Sequence, residues 1–328
     1  MTCLVKDKKT FRTLCVCPVL DFDVTIWSIY DEVSTFKVSR EKEMIFNEGD
    51  IVVFANYCGI IKEAEVTKYT ADLKCEHILK MFSRDIPFVA GPDAGPESFL
   101  KNQIDEHYTN QTDIIYQLPY LDVSALTSTV SSINPDVEDG VWNIKSYIAK
   151  IRRVLNIFTE YTATKDTLEI SIGKKQVTTK QIDLSDSQIK VLEETYSNKS
   201  VGKITSICEE TEEVKDWFLL DDGTITDTYQ DDNRVVGDWV TIVVSKAEDV
   251  EYKVRDEFAK NSFSHKILFN IPSSRARFAF YDRILIASKG RLYYSYIAAV
   301  RNTKSSEKTE YQCGELRTTF TDKIQEEL

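Results

Sequence analysis

Two stretches near opposite ends of the chain repeat one small strand unit. The first, from Thr35 to Lys68, contains TFKVS and then GDIVVFANYCGIIKEAEVTK. The second, from Ile267 to Arg301, contains ILFNI and then YDRILIASKGRLYYSYIAAVR. Each has a short alternating strand, a linker, an Asp (Asp50, Asp282), an aliphatic run, a Gly (Gly59, Gly290) and a closing alternating strand. Alternation with period two is the signature of a half-buried strand. The aliphatic runs supply the expected cores, Ile51, Val53 and Phe54 in the first copy and Ile284, Leu285 and Ile286 in the second; Gly59 and Gly290 are the expected turns. A β unit written twice suggests two similar barrels side by side, an arrangement for rings and tubes rather than for one reaction centre. The alternative is two unrelated hairpins, because strand–turn–strand patterns recur without common origin.

At 328 residues the chain has room for two or three domains, each with its own core. Its net charge of −12 argues against a general nucleic-acid binder, which needs a basic surface to neutralise phosphates. The 16 Tyr and 16 Phe favour strands and contact surfaces. Seven scattered Cys, an odd number, point to a reducing compartment rather than a disulfide framework. The start, MTCLVKDKKTF, lacks the apolar core of a signal peptide, and no apolar run is long enough to span a bilayer.

The chain reads as α+β and mainly β, with two similar small β-barrel domains flanking an inserted α/β region. Residues 1–90 form the expected first barrel and 91–182 the α/β insert, entered through the linker AGPDAGP. The insert holds a helix at ESFLKNQIDEHY and a long one at VWNIKSYIAKIRRVLNIFTEY, with a strand at DTLEISIG directly after it. Residues 183–262 form a β-rich middle region with helices, including one begun by a capping box at Ser185 and Gln188. Residues 263–328 form the second barrel and a tail.

A search for chemistry finds no phosphate-cradling glycine loop and no nucleophile elbow. Cys75-Glu76-His77 is too tight for a zinc pair. The oxygen-bearing residues Asp183, Ser185, Ser187 and Glu194 have calcium-loop spacing, but Gln188 stands where the loop needs Gly. A Cys–His nucleophile pair would have to draw on Cys58 or Cys313 with His265. No catalytic, cofactor or metal residue is assigned.

Three pieces together resemble the baseplate hub or tail-tip structural proteins of siphophages and related prophages. They are GDIVVFANYCGIIKEAEV followed by LKCEHILKMFSRDI, then FLLDDGTIT with NRVVGD, then SHKILFNI and DRILIASKGRLYYSYIAAVRN followed by CGELRTTFTDKI. The resemblance implies two β-barrels in one chain, assembled as a homotrimer into a pseudo-sixfold ring that caps the tail tube and anchors distal tail parts. It implies contacts with the distal tail tube protein and other baseplate proteins, with DNA only as passing cargo and no membrane. The place would be the virion tail, assembled in the host cytoplasm, and the protein would not be an enzyme. A tail-associated cell-wall hydrolase or a host-recognition module is the alternative; the closing β unit runs nearly to Leu328, leaving little room for a catalytic extension.

Overall fold

In the computed structural model the first six strands close into a barrel. They are β1 (Thr2–Lys6), β2 (Thr13–Ser28), β3 (Ser34–Ser39), β4 (Ile51–Phe54), β5 (Tyr57–Val66) and β6 (Thr70–His77). The structure describes residues 1–28, 33–41, 43–88, 95–126, 140–174, 179–196, 201–220, 223–229, 233–261, 265–276, 278–288, 291–304 and 307–314. The barrel order is β1-β4-β5-β6-β3-β2, every neighbour antiparallel, and β1 pairs with β2 to seal the ring. Alternation along these strands sends Cys17, Val19, Phe36, Val38, Val52, Phe54, Leu73 and Cys75 into one buried cluster. Phe36 lies 5.5 Å from Phe54 and 5.4 Å from Tyr57 between ring centroids. Residues Ala299–Thr303 add a short antiparallel partner along β2.

The α/β insert follows within the same unit, which comprises Met1–Gln176 and Ala299–Thr309. It contains β7 (Asp85–Phe88), α1 (Pro96–Ile104), β8 (Leu121–Leu126), β9 (Gly140–Asn143), α2 (Ile144–Leu155), β10 (Ile157–Ala163) and β11 (Leu168–Lys174). β8, β11 and β10 form a sheet in which β8 runs parallel to β11. The apolar stripe of α2 buries Tyr147, Ile148, Ile151, Val154 and Leu155. Asn143 accepts from the Ser146 N–H at 2.9 Å to start this helix, and Asn156 ends it at φ 56. The helix is therefore shorter than its sequence pattern, and IFTEY becomes strand.

One buried cation fastens the insert to the barrel. Lys6 is fully buried, its Nζ donates to the carbonyls of Phe11 at 3.3 Å and Lys165 at 2.7 Å, and it stands 4.3 Å above the Phe11 ring. Desolvation pulls its pKa below the usual lysine value. Phe11 in turn stacks on Tyr120 of the insert at 4.9 Å.

The second unit spans Val177–Ala298 and the segment from Glu310. It contains β12 (Thr179–Asp183), β13 (Lys190–Tyr196), β14 (Val201–Cys208), β15 (Val214–Leu219), β16 (Ile225–Thr226), β17 (Asp238–Val244), α3 (Val250–Asn261), β18 (His265–Pro272), β19 (Arg283–Ser288) and the greater parts of β20 (Arg291–Thr303) and β21 (Lys308–Cys313), whose residues 299–303 and 308–309 belong to the first unit. Six of these take the order β12-β19-β20-β21-β18-β13. This is the order of the first barrel, strand for strand. One difference is clear: β1 meets β4 antiparallel, whereas β12 meets β19 parallel. Among the described residues no pairing joins β12 to β13, so this second ring is open at a seam where the first is sealed. The remaining strands form the sheet β16-β15-β14-β17, against which α3 packs Val254 and Phe258.

The turn before β4 recurs before β19 bond for bond. Asp50 N–H donates to Asn47 O, and Asp282 N–H to Ala279 O. The Asp50 carboxylate accepts from the Asn47 N–H at 3.1 Å, and that of Asp282 from the Ala279 N–H at 2.7 Å. Gly49 and Tyr281 both have positive φ, 90° and 63°, and each donates its N–H to an isoleucine carbonyl across the hairpin, Ile61 or Ile297. Those isoleucines return an N–H to Asp50 O and Asp282 O at 2.8 and 3.0 Å. Two unrelated hairpins would not share this set.

Several expectations change. The second six-stranded sheet draws in residues 179–196, upstream of the expected start at 263. The capping box at Ser185 starts no helix: Asp183 takes the Ser185 N–H at 2.8 Å in a side-chain turn, and Lys190–Tyr196 pairs with β18 as a strand. Gly59 is not a turn. Phe54 pairs with Tyr57, so Ala55 and Asn56 make the turn and Gly59 lies in β5 opposite Val52. A Cβ at Gly59 would meet the Tyr57 hydroxyl and come 2.7 Å from the Glu76 carbonyl, so close packing requires glycine there. Gly290 lies outside the described residues.

Two stability measurements follow. Asp282→Ala removes the acceptor for the Ala279 N–H and the Lys180 partner, and should cost about 2 kcal/mol in urea unfolding. Gly59→Ala should cost a similar 1–3 kcal/mol by overpacking, although alanine suits a strand no worse than glycine.

Candidate assembly surface

The expected core residues separate by face. Phe54, Ile284 and Ile286 are buried, Val52 takes the inward position beside Phe54, and Val53 and Leu285 are only half-buried; Ile51 is buried as well, but alternation puts it on the face of Val53. Val53 thus belongs to the outside of the barrel. It pairs with Leu4, and Leu4 pairs with Val16, giving an apolar row across β4, β1 and β2. Along β2 the outward residues Leu14, Val16, Pro18 and Leu20 are all exposed, Val16 by 50%.

The opposite side of the same barrel is charged. Lys62 meets Glu76 at 2.9 Å, Lys74 meets Glu63 at 2.9 Å, and Lys37 meets Asp72 at 3.8 Å over β5, β6 and β3. Exposed pairs of this kind contribute little stability and mark a solvated face. Isolated soluble domains seldom expose contiguous apolar area, so the apolar stripe on one side is the candidate contact surface. In the second unit the row that matches Leu4, Val53 and Cys58 reads Gln181, Leu285 and Tyr294, which is mixed in polarity. The two modules share strand order but not surface.

The residues considered for chemistry behave as core. Burial pushes the Cys58 thiol up to about 12 and raises Cys313 as well, away from the reactive thiolate. Burial pulls His265 down to about 4. Asp183 holds Ser185 through its N–H and Oγ, the pattern of a local turn. Among the described residues no group of three or more His, Cys, Asp or Glu is arranged to hold a metal. A shallow cleft of about 180 Å³ beside α3 is lined by Ser206, Lys215, Trp217 and Glu251. The sequence reading missed the β2 stripe, although the alternation LCVCPVL, with its outward Leu, Val, Pro and Leu, carries it.

The fold, with its sealed six-stranded barrel, α/β layer and second six-stranded sheet of the same order, is similar to that of solved tail and baseplate proteins. The tail protein from Neisseria meningitidis MC58 matches with a TM-score of 0.55 at 13% identity, over 96% of this chain and 97% of that one. A prophage tail protein from Listeria monocytogenes EGD-e gives 0.54 at 9% identity, over 99% and 98%. A chain of the p2 virion baseplate in its activated conformation gives 0.51 at 11% identity, over 97% and 100%. No family model and no curated protein sequence matches the chain.

His265 gives this region a measurable pH signature. The unfolded imidazole takes a proton below its ordinary 6.5, the buried one only near 4. Stability should be full above pH 6.5 and fall by roughly 3 kcal/mol as pH drops to 4. Urea midpoints across that window should show the slope, and His265→Gln should flatten it.

Proposed function

We propose that the chain is a structural component of a phage tail baseplate, the hub at the distal end of the tail, acting by assembly rather than catalysis. The observation that carries the reading is the repeated module: one strand order and one Asp-anchored turn, used twice within a fold shared along almost its whole length with tail and baseplate proteins. Three copies with two modules each present six quasi-equivalent units, the count needed to cap a sixfold tube while offering threefold symmetry beyond it. Such a ring uses head-to-tail contacts, in which two different surfaces of the same chain meet. The first module supplies one such surface, its exposed apolar stripe along β2. In this reading Leu14, Val16 and Leu20 of one copy pack on the neighbouring copy. The ring would contact the tail tube protein and other baseplate proteins in the virion tail, after assembly in the host cytoplasm, and would pass DNA only as cargo.

Light scattering on the purified chain tests this. Val16→Asp should leave the fold intact, because the residue faces outward, yet reduce a threefold assembly to a smaller species. Phe36→Asp, which puts a charge in the barrel core, should instead unfold the chain. A Val16→Asp protein that assembles like the wild type removes the stripe from the ring contact.

A further inference from the structure

We infer that β17 is a self-pairing edge, by which two copies of the chain join their four-stranded sheets into one sheet of eight strands. β17 ends the order β16-β15-β14-β17, and among the described residues nothing pairs with its outer edge. Alternate residues of β17 turn their backbone N–H and C=O to this outer edge, and the strand carries no proline, lysine or arginine and one charge, Asp238, at its start; natural proteins protect such edges or use them.

The choice of a second copy comes from the register. Turned antiparallel on itself about Thr241, β17 places Trp239 opposite Val243 of the other copy, Val240 opposite Ile242, and Thr241 opposite Thr241. Aromatic against β-branched, aliphatic against aliphatic, and Thr against Thr are the favourable cross-strand pairs, and no like charges meet. Antiparallel pairing also keeps each residue on its own face of the sheet.

The outer face extends the match. Across the existing sheet the rows are Phe218–Lys203–Trp239, Asp216–Thr205–Thr241 and Val214–Ile207–Val243. Pairing at β17 would continue the Trp239 row into the partner's Val243 row, and the Thr241 row into itself. Apolar rows then meet apolar rows, and the polar row stays polar. Trp239, Val243 and Val214 are 66%, 62% and 64% exposed, so this face now carries uncovered apolar area. The indole is already positioned: Trp239 Nε1 donates to Thr205 Oγ1 at 2.8 Å, and Thr205 donates to Asp216 at 2.6 Å. Lys203 sits 4.0 Å over the Trp239 ring and pairs with Asp216 at 2.7 Å. A side chain held in this way loses little freedom on contact.

The proposal stands apart from the ring reading, and the same instrument separates the two. Light scattering should show an even-numbered species, two copies or six, whose mass Thr241→Pro halves. Val16→Asp should remove only the ring contact and leave a dimer. Thr241→Cys, close to the wild type in size, should give a chain-to-chain disulfide under mild oxidation that the wild type does not form. A species of three copies alone would keep the ring and overturn the self-pairing. An unchanged mass in Thr241→Pro, or no cross-link in Thr241→Cys, would overturn it as well.

Discussion

A carboxylate folded back onto its own turn sets the geometry of both modules. Asp50 and Asp282 each cap the N–H three residues earlier, while the residue just before them takes positive φ and turns its own N–H across the hairpin. The aspartates are buried, so an unmade bond there would leave a charged acceptor without water. The turn therefore fixes where the next strand starts and which side chains point inward, and the order of all six strands depends on that start. Gly49 meets the positive φ without strain. Tyr281 adopts it with a side chain, and its ring stacks on Tyr296 at 4.5 Å.

From this shared frame the two modules diverge in surface and in closure. The first is sealed, has one apolar and one charged side, and is tied to the insert. The second admits its first strand in the opposite sense, leaves its ring open among the described residues, and sets Gln181 and Tyr294 around Leu285 where the first has Leu4 and Cys58 around Val53. A ring built from unlike surfaces needs such divergence. Identical modules would pair with themselves as readily as with each other.

Much of the architecture was legible because period-two alternation survives in TFKVS, ILFNI and the closing strands, and because an acidic residue before an aliphatic run is rare enough to notice. Parity was not legible. In the run IVVF the sequence cannot say whether Val52 or Val53 faces the barrel, since both are valine and the pattern does not alternate. Gly59 was misread because glycine serves turns and close approaches alike, and only Tyr57 and Glu76, brought near by pairing, distinguish the two. The segment after Ser185 carries a sound local helix signal that strand pairing with β18 overrides. The exposure of β17 is not legible in DWVTIVV, because it follows from the strand's place at the end of a sheet, which composition does not encode.

The lysine wedged between the barrel and the insert bears on how the chain could be divided. Among the described residues its ammonium is hydrogen-bonded to two carbonyls and faces an aromatic ring, and one of those carbonyls comes from Lys165. A fragment cut off after the sixth strand would keep the cation and lose its better acceptor and the ring that backs Phe11. Such a piece would have to hydrate that end of its own interior. The α/β layer is thus a lid on the first barrel as much as a spacer, and these two parts form a single folding unit.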